Sequence, residues 1–285
     1  MLTSMADRDD PREHLRRFIR RSLDRNQPAG RFAGPRCEAS EDSVMKSVNP
    51  YIGPRDRMII EQLAAKGVRD ERVLDAMRHV AREAFVPEEL REAAYADQPL
   101  PLGEGQTISQ PYIVGAMTEA LGLEGGENVL EIGTGSGYAA AVLAHIARVV
   151  HSIERIPALA RRARETLRRL GYDRVEVIEG DGSLGWRPAA PYDAIVATAE
   201  GPCIPPSLRA QLKPGGRLVM PVEDAACGQA LVRLVRGTDG EDHVESIQPV
   251  RFVPLIGAEG WPDEDAWLAK MRADAGESFS RESYR

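Results

Sequence analysis

Between residues 127 and 222 apolar strand-like runs alternate with helix-like runs, and a chain with that rhythm can close on few architectures. "ENVLEIG", "VVHSIE", "VEVIEGD", "YDAIVATA" and "GRLVMPV" are compact apolar runs of strand length, with "YAAAVLAHIA", "PALARRARETLRRLG" and "PSLRAQL" at helical spacing between them. Pro157 opens the second helix and Gly171 closes it, as helix ends prefer. Strands joined through helices run parallel, so the segment predicts an α/β, Rossmann-like fold: a doubly wound, mostly parallel sheet with helices on both faces. "ALVRLVRGTDGEDHVESIQPVRFVPL" then carries two strand-like runs with only a turn between them. That predicts an antiparallel C-terminal edge.

The flanks read differently. "RDRMIIEQLAAKGVRDERVLDAMRHVAREAFVP" predicts two short amphipathic helices, a helical N-terminal decoration ended at Gly67 and near Pro87. "YADQPLPLGEGQTISQP" reads as a loop from its Pro and Gly content. Residues 1–50 form an N-terminal extension, partly disordered, in which Leu15, Phe18, Ile19 and Leu23 keep helical spacing before a linker, "NQPAGRFAGPRCEASEDS". The domain proper is set at 51–257, and 258–285 is a polar tail, helical in part around Trp267 and Met271.

Composition excludes several partners. A net charge of −7 offers no basic face for nucleic acid, and no run approaches the roughly 18 apolar residues of a membrane span. The first residues lack a signal-peptide apolar region, and Asp7, Asp9, Asp10 and Glu13 are foreign to transit peptides. Cys37, Cys203 and Cys227 are odd in number and far apart, which fits neither a disulfide framework nor a cysteine metal site and points to a reducing cytoplasm. His14, His79, His145, His151 and His243 show no catalytic or metal-ligand spacing, so no metal is expected.

"VLEIGTGSGY" places Gly133, Gly135 and Gly137 between a strand and a helix. The spacing is G-x-G-x-G rather than the dinucleotide G-x-G-x-x-G, although both let a ligand approach the backbone. Glu131, Glu154 and Asp181 stand at or near the carboxyl ends of three successive strands, where doubly wound sheets bind ligands. Three carboxylates there would repel a pyrophosphate and attract a cationic nucleoside; one carboxylate and one cation at about 4 Å attract by roughly 4 kcal/mol before desolvation. S-adenosyl-L-methionine meets that description, with Glu154 for the ribose diol and Asp181 for the adenine amino group. An NAD-linked oxidoreductase fits less well, because the last glycine comes one residue early.

Eight segments, "AFVPEEL", "AYADQPLPLGEGQTISQPYIVGAMTEAL", "VLEIGTGSGY", "HSIERIP", "GDGSLGW", "PYDAIVATA", "LKPGGRLVMPV" and "VRFVPLIG", resemble the protein-L-isoaspartate O-methyltransferase family in order and separation over about residues 56 to 257. The glycine motif is common to class I methyltransferases, whereas "GQTISQP" is far more specific. The resemblance implies methyl transfer from S-adenosyl-L-methionine to the free α-carboxylate of isoaspartyl residues in damaged peptides and proteins, leading through a succinimide to repair by a cytoplasmic monomer. It makes Ser109 the active-site hydroxyl, adds Gln106, Thr107, Ile108 and Gly182 to the cofactor set, and gives substrate contacts to Thr107, Ser109 and Val253. Ser109 could also cap the helix that follows it, alone or in addition to that role. Glu200 and Gly201 depart from the family's small-residue, proline-bearing segment and would bring negative charge near the substrate. Two other readings stay open: a methyltransferase acting on a normal aspartate of a dedicated peptide or protein, and a cofactor-binding scaffold without turnover.

Overall fold

The computed structural model describes residues 51–238 and 241–275. The expectations for residues 1–50, including the helical spacing of Leu15, Phe18, Ile19 and Leu23, lie outside the described residues, as does the tail beyond residue 275.

Helix α1 runs over Ile52–Arg57 and continues in π geometry through Met58–Leu63; α2 covers Glu71–His79, with the Asp70 side chain accepting from the Arg72 N–H at its start. The segment expected to be a loop contains a small hairpin, β1 (Leu100–Gly103) and β2 (Gln106–Ile108), paired antiparallel. Alternate burial of Leu100 and Leu102 explains it: a period of two hides in "PLPLG" behind its prolines and glycine. Helix α3 (Pro111–Leu121) follows, with proline in its first turn and Gly122 in the left-handed region at its end.

The main sheet collects β3 (Asn128–Ile132), β4 (Val149–Glu154), β5 (Val175–Glu179), β6 (Tyr192–Ala197), β7 (Leu212–Asp224), β8 (Gly228–Val235) and β9 (His243–Pro249). Their order is β5-β4-β3-β6-β7-β8-β9, with the first five parallel and β8 and β9 antiparallel. Helices α4 (Tyr138–Ile146), α5 (Pro157–Arg169) and α6 (Pro206–Ala210) occupy the connections. Strand β3 is buried along its whole length because helical layers cover both faces, which is why its sequence runs apolar instead of alternating. Helix α5 instead buries one stripe, Leu159, Ala160, Ala163 and Leu167, and turns its arginines outward. The chain winds from β3 toward β4 and returns on the other side at β6, so the sheet's switch point lies at the carboxyl end of β3.

The tail boundary expected at residue 257 moves. Trp261, Trp267, Leu268 and Met271 are buried together, the last three on helix α7 (Glu264–Ala275), which packs against β8. Both indoles donate to one oxygen of Glu200, Trp261 Nε1 at 2.9 Å and Trp267 Nε1 at 2.8 Å. Two desolvated tryptophans and a shared acceptor hold this segment on the domain.

Candidate active site

A cavity of about 670 Å³ opens at the switch point, within the range of small-molecule sites. Its lining includes Gln106, Thr107, Ile108 and Ser109 from β2 and the turn after it, Gly133 and Gly135 from the glycine loop, Glu154 from β4, Gly182 beyond β5, and Val253 from the C-terminal crossing. Residues distant in sequence therefore meet around one space.

The glycine loop explains itself position by position. Gly135 has φ +54°, which favours glycine, and its N–H donates to Glu154 Oε2 at 2.9 Å. Glu154 Oε1 accepts from the Ile156 N–H at 2.8 Å. Both oxygens keep a lone pair, enough to accept from two vicinal hydroxyls at the wall of the cavity. Ile132, Ile153, Ile156 and Leu159 supply apolar lining beside it. A buried carboxylate anchored by backbone donors next to an apolar slot fits the ribose and base of S-adenosyl-L-methionine.

Three expected cofactor residues do not line the cavity. Gly137 is buried at φ +88°, and a Cβ there would lie 3.1 Å from Leu167, so this glycine serves close packing of the loop on α5. Asp181 ties down a different segment: Oδ1 accepts from the Ser183 N–H and hydroxyl at 2.9 and 2.7 Å, and Oδ2 from the Ala258 N–H at 2.7 Å. That closure depends on Gly257, whose added Cβ would fall 2.1 Å from Asp181 Oδ1. Glu131 is wholly buried behind the loop, accepts from the Ser152 hydroxyl, and leaves Oε1 without a partner. Of the three carboxylates read from sequence, Glu154 alone faces the cavity. The other two side chains make their contacts within the protein, because strand ends can turn side chains inward as readily as out.

Burial pushes the Glu131 carboxyl up to about 8, opposed by the Ser152 hydroxyl and reinforced by neighbouring Glu154. A carboxyl raised on folding stabilises fully below its unfolded value and loses that contribution as pH rises through the folded one. Each pH unit between the two values corresponds to about 1.4 kcal/mol. Glu131→Gln, neutral at all pH, is therefore expected to flatten the fall in stability between about pH 5 and pH 8. Urea unfolding at those two pH values checks it; an equally steep fall in the variant would assign the slope to other groups.

Ser109 lines the cavity and does not cap the helix after it. Helix α3 takes Gln110 as its N-cap and receives no side-chain capping bond, so the Ser109 hydroxyl is not spent on the helix. Its main-chain carbonyl accepts from Arg82 Nη2 at 2.8 Å. Arg82 itself is fully buried, donates from Nε to the Ala94 carbonyl at 2.7 Å, and lies 4.8 Å above the ring of Tyr138, the first residue of α4. Sequence reasoning passed over Arg82. The available signal was a lone cation inside the apolar "HVAREAFVP".

The expectation for Glu200 is overturned. It is fully buried, and burial raises its carboxyl to about 7, opposed by the two indole donors. Its side chain faces the tryptophans, not the cavity, while its backbone holds the cavity wall: Glu200 N–H donates to the Val253 carbonyl at 2.8 Å and the Leu255 N–H donates to the Glu200 carbonyl at 2.7 Å. The departure from the family pattern thus anchors the C-terminal segment. Two tryptophans in "WPDEDAW" were the signal for it, since indoles seldom stay in solvent.

Comparison with known proteins gives consistent results. A sequence model described as protein-L-isoaspartate(D-aspartate) O-methyltransferase (PCMT) matches residues 55–260. The chain is similar to protein-L-isoaspartate O-methyltransferase 1 of Rhodopseudomonas palustris (strain HaA2), 60% identical over 218 residues, covering 76% of this chain and 89% of that protein. It is also similar to protein-L-isoaspartate O-methyltransferase 2 of Pelobacter propionicus, 58% identical over 207 residues, covering 73% of this chain and 92% of that protein. Among solved structures, a protein-L-isoaspartate O-methyltransferase superposes with TM-score 0.64 at 29% identity, covering 72% of this chain and 67% of that one. A Plasmodium falciparum β-aspartate methyltransferase (PCMT) in complex with S-adenosyl-L-homocysteine shares the fold with TM-score 0.60 at 23% identity, covering 71% of this chain and 98% of that one.

Proposed function

Because this chain belongs to the protein-L-isoaspartate(D-aspartate) O-methyltransferase family, we propose that Ser109 aims an isoaspartyl α-carboxylate across the cavity at a methyl donor held by Glu154 and the glycine loop. The enzyme is an S-adenosyl-L-methionine-dependent methyltransferase acting on isoaspartyl residues in protein repair. The observation that carries the site assignment is the placement of the uncommitted Ser109 hydroxyl and the Glu154 carboxylate around one cavity.

Gln106, Thr107, Ile108, Gly133, Gly135, Glu154 and Gly182 form the proposed donor side. When bound there, S-adenosyl-L-methionine supplies an electrophilic methyl group on a sulfonium. Glu154 accepts from the ribose diol, and the bare backbone at Gly135 allows close approach, while Gly182 packs directly on Ile132, where a Cβ would lie 2.4 Å from Cγ2. Thr107 and Ser109 receive the acceptor, with Val253 opposite. A free α-carboxylate titrates near 3.3 to 3.7 and is ionised at neutral pH, so the site needs no general base. Its work is orientation and exclusion of water, which in well-aligned cases contributes about 7 to 11 kcal/mol. The methyl ester has a better leaving group than the acid, so the neighbouring backbone nitrogen closes a succinimide without a further residue. Hydrolysis of that ring returns part of the product to normal aspartate.

Among the described residues no helix is long and apolar enough to cross a membrane. We further propose a cytoplasmic monomer, in keeping with the free, exposed thiols of Cys203 and Cys227.

The test is methylation of an isoaspartyl peptide beside its aspartyl twin, with labelled S-adenosyl-L-methionine. Label is expected on the isoaspartyl peptide only, volatile in base as a methyl ester. Equal labelling of both peptides, or label stable to base, would overturn the reading.

A further inference from the structure

Away from the cavity, α2 and α4 bring three metal-ligating side chains to one spot. Asp75 and His79 are one turn apart on α2, and positions separated by four residues share a helix face. His145 lies in the last turn of α4, which packs against α2. His79 Nδ1 stands 3.4 Å and His145 Nε2 3.7 Å from the same carboxylate oxygen, Asp75 Oδ2. The ligand atoms of all three residues fall within 4.8 Å of one another.

Those separations have a chemical meaning. Zinc bonds to imidazole nitrogen and carboxylate oxygen measure about 2.0 to 2.2 Å, so neighbouring ligands of a tetrahedral centre stand about 3.4 Å apart. The two contacts to Asp75 Oδ2 are already close to that edge length. The imidazoles also stack, with centroids 5.1 Å apart and planes 14° from parallel. Both ring nitrogens converge on one carboxylate oxygen, and a divalent ion between the three groups would engage all of them at once. His79 and His145 are exposed, leaving a side of the cluster open for water as fourth ligand. Coordination through His79 Nδ1 exchanges its contact with the Asp75 main-chain carbonyl, now 2.8 Å, for the ion. None of the three residues lines the cavity of the active site.

We propose that Asp75, His79 and His145 form a three-ligand site for a divalent transition ion of the zinc class, which clamps α2 to α4 apart from catalysis. The set was hidden from sequence spacing because His145 belongs to a different helix. An imidazole pair with one carboxylate suits zinc, cobalt(II) or nickel(II) and disfavours calcium and magnesium, which take oxygen ligands. An ion bound by the native chain and not by the unfolded one raises the thermal midpoint.

The test uses the full chain after chelator treatment and dialysis, titrated with zinc chloride by calorimetry, with cobalt(II) as spectroscopic probe. Wild type is expected to bind an ion that His145→Ala and, separately, His79→Gln weaken at least tenfold, with the zinc-dependent rise in midpoint lost in both. Methyl transfer by the metal-free variants is expected to equal that of metal-free wild type. Cobalt(II) should give the intense visible bands of a tetrahedral centre in wild type alone. Binding undiminished in both variants would place the ion elsewhere, and no saturable binding would reduce the cluster to an exposed ion pair; either result overturns the proposal.

Discussion

Ser109→Ala is expected to lower kcat on an isoaspartyl peptide by about a hundredfold, the usual scale for losing one aimed donor in an active site. Affinity for S-adenosyl-L-homocysteine should not change, because the Ser109 hydroxyl is assigned to the acceptor, while Gln106, Thr107, Ile108, Glu154 and the glycine loop are assigned to the donor. Stability should not change either: α3 begins at Pro111 without a side-chain cap, so the helix loses nothing with the hydroxyl. Ser109→Thr restores an oxygen at the same carbon and should recover part of the rate. The pattern separates an orienting hydroxyl from a structural one, since a structural role would move the thermal midpoint together with the rate. It also separates orientation from base catalysis. The rate of the wild type should stay level from about pH 5 to 8, because the acceptor is ionised throughout that range. Turnover by Ser109→Ala equal to wild type would remove Ser109 from the site.

Much of this arrangement could be read without coordinates, and the failures share a cause. The alternation of β3, α4, β4, α5, β5 and β6 survives in the sequence because each element is long enough to express its period and each is covered on a predictable face. The antiparallel edge was legible from a missing helix. The β1–β2 hairpin was not, because four residues of alternating burial cannot outweigh three prolines and two glycines nearby. Among the site residues, the backbone-defined positions Gly133, Gly135 and Gly182 reach the cavity as expected, since strand ends and tight turns fix where a main chain lies. Charged side chains at the same strand ends are harder to place. Glu131, Asp181 and Glu200 each found partners inside the protein, a serine hydroxyl, a backbone N–H from residue 258 and a pair of indoles. Those partners come from other parts of the chain, and local spacing holds no record of them.

Arg82 shows the same limit with the sign reversed, a residue without a motif whose position decides another's. Burial lowers its guanidinium to about 10, so the cation persists at neutral pH with its charge directed at two main-chain carbonyls and an aromatic face. One of those carbonyls belongs to Ser109, and the ring belongs to the residue that starts α4 just beyond the glycine loop. Arg82 therefore ties the acceptor side of the cavity to the donor side from below. Arg82→Met keeps most of the volume and strands both carbonyls, at about 1 to 3 kcal/mol for each unsatisfied group. The thermal midpoint should fall by about 2 to 4 °C for each kcal/mol lost in a domain of this size. Arg82→Lys retains the charge and one donor but not the fork, and should lie between the two. The discriminating readout is kinetic and is taken well below the midpoint of each variant, where all molecules are folded. There kcat on an isoaspartyl peptide should fall by about tenfold or more, as expected when a reacting group is displaced by a fraction of an ångström, with affinity for S-adenosyl-L-homocysteine retained. A variant that loses stability yet keeps full kcat in the folded state would make Arg82 a core residue and leave Ser109 positioned by the β2 and α3 backbone alone.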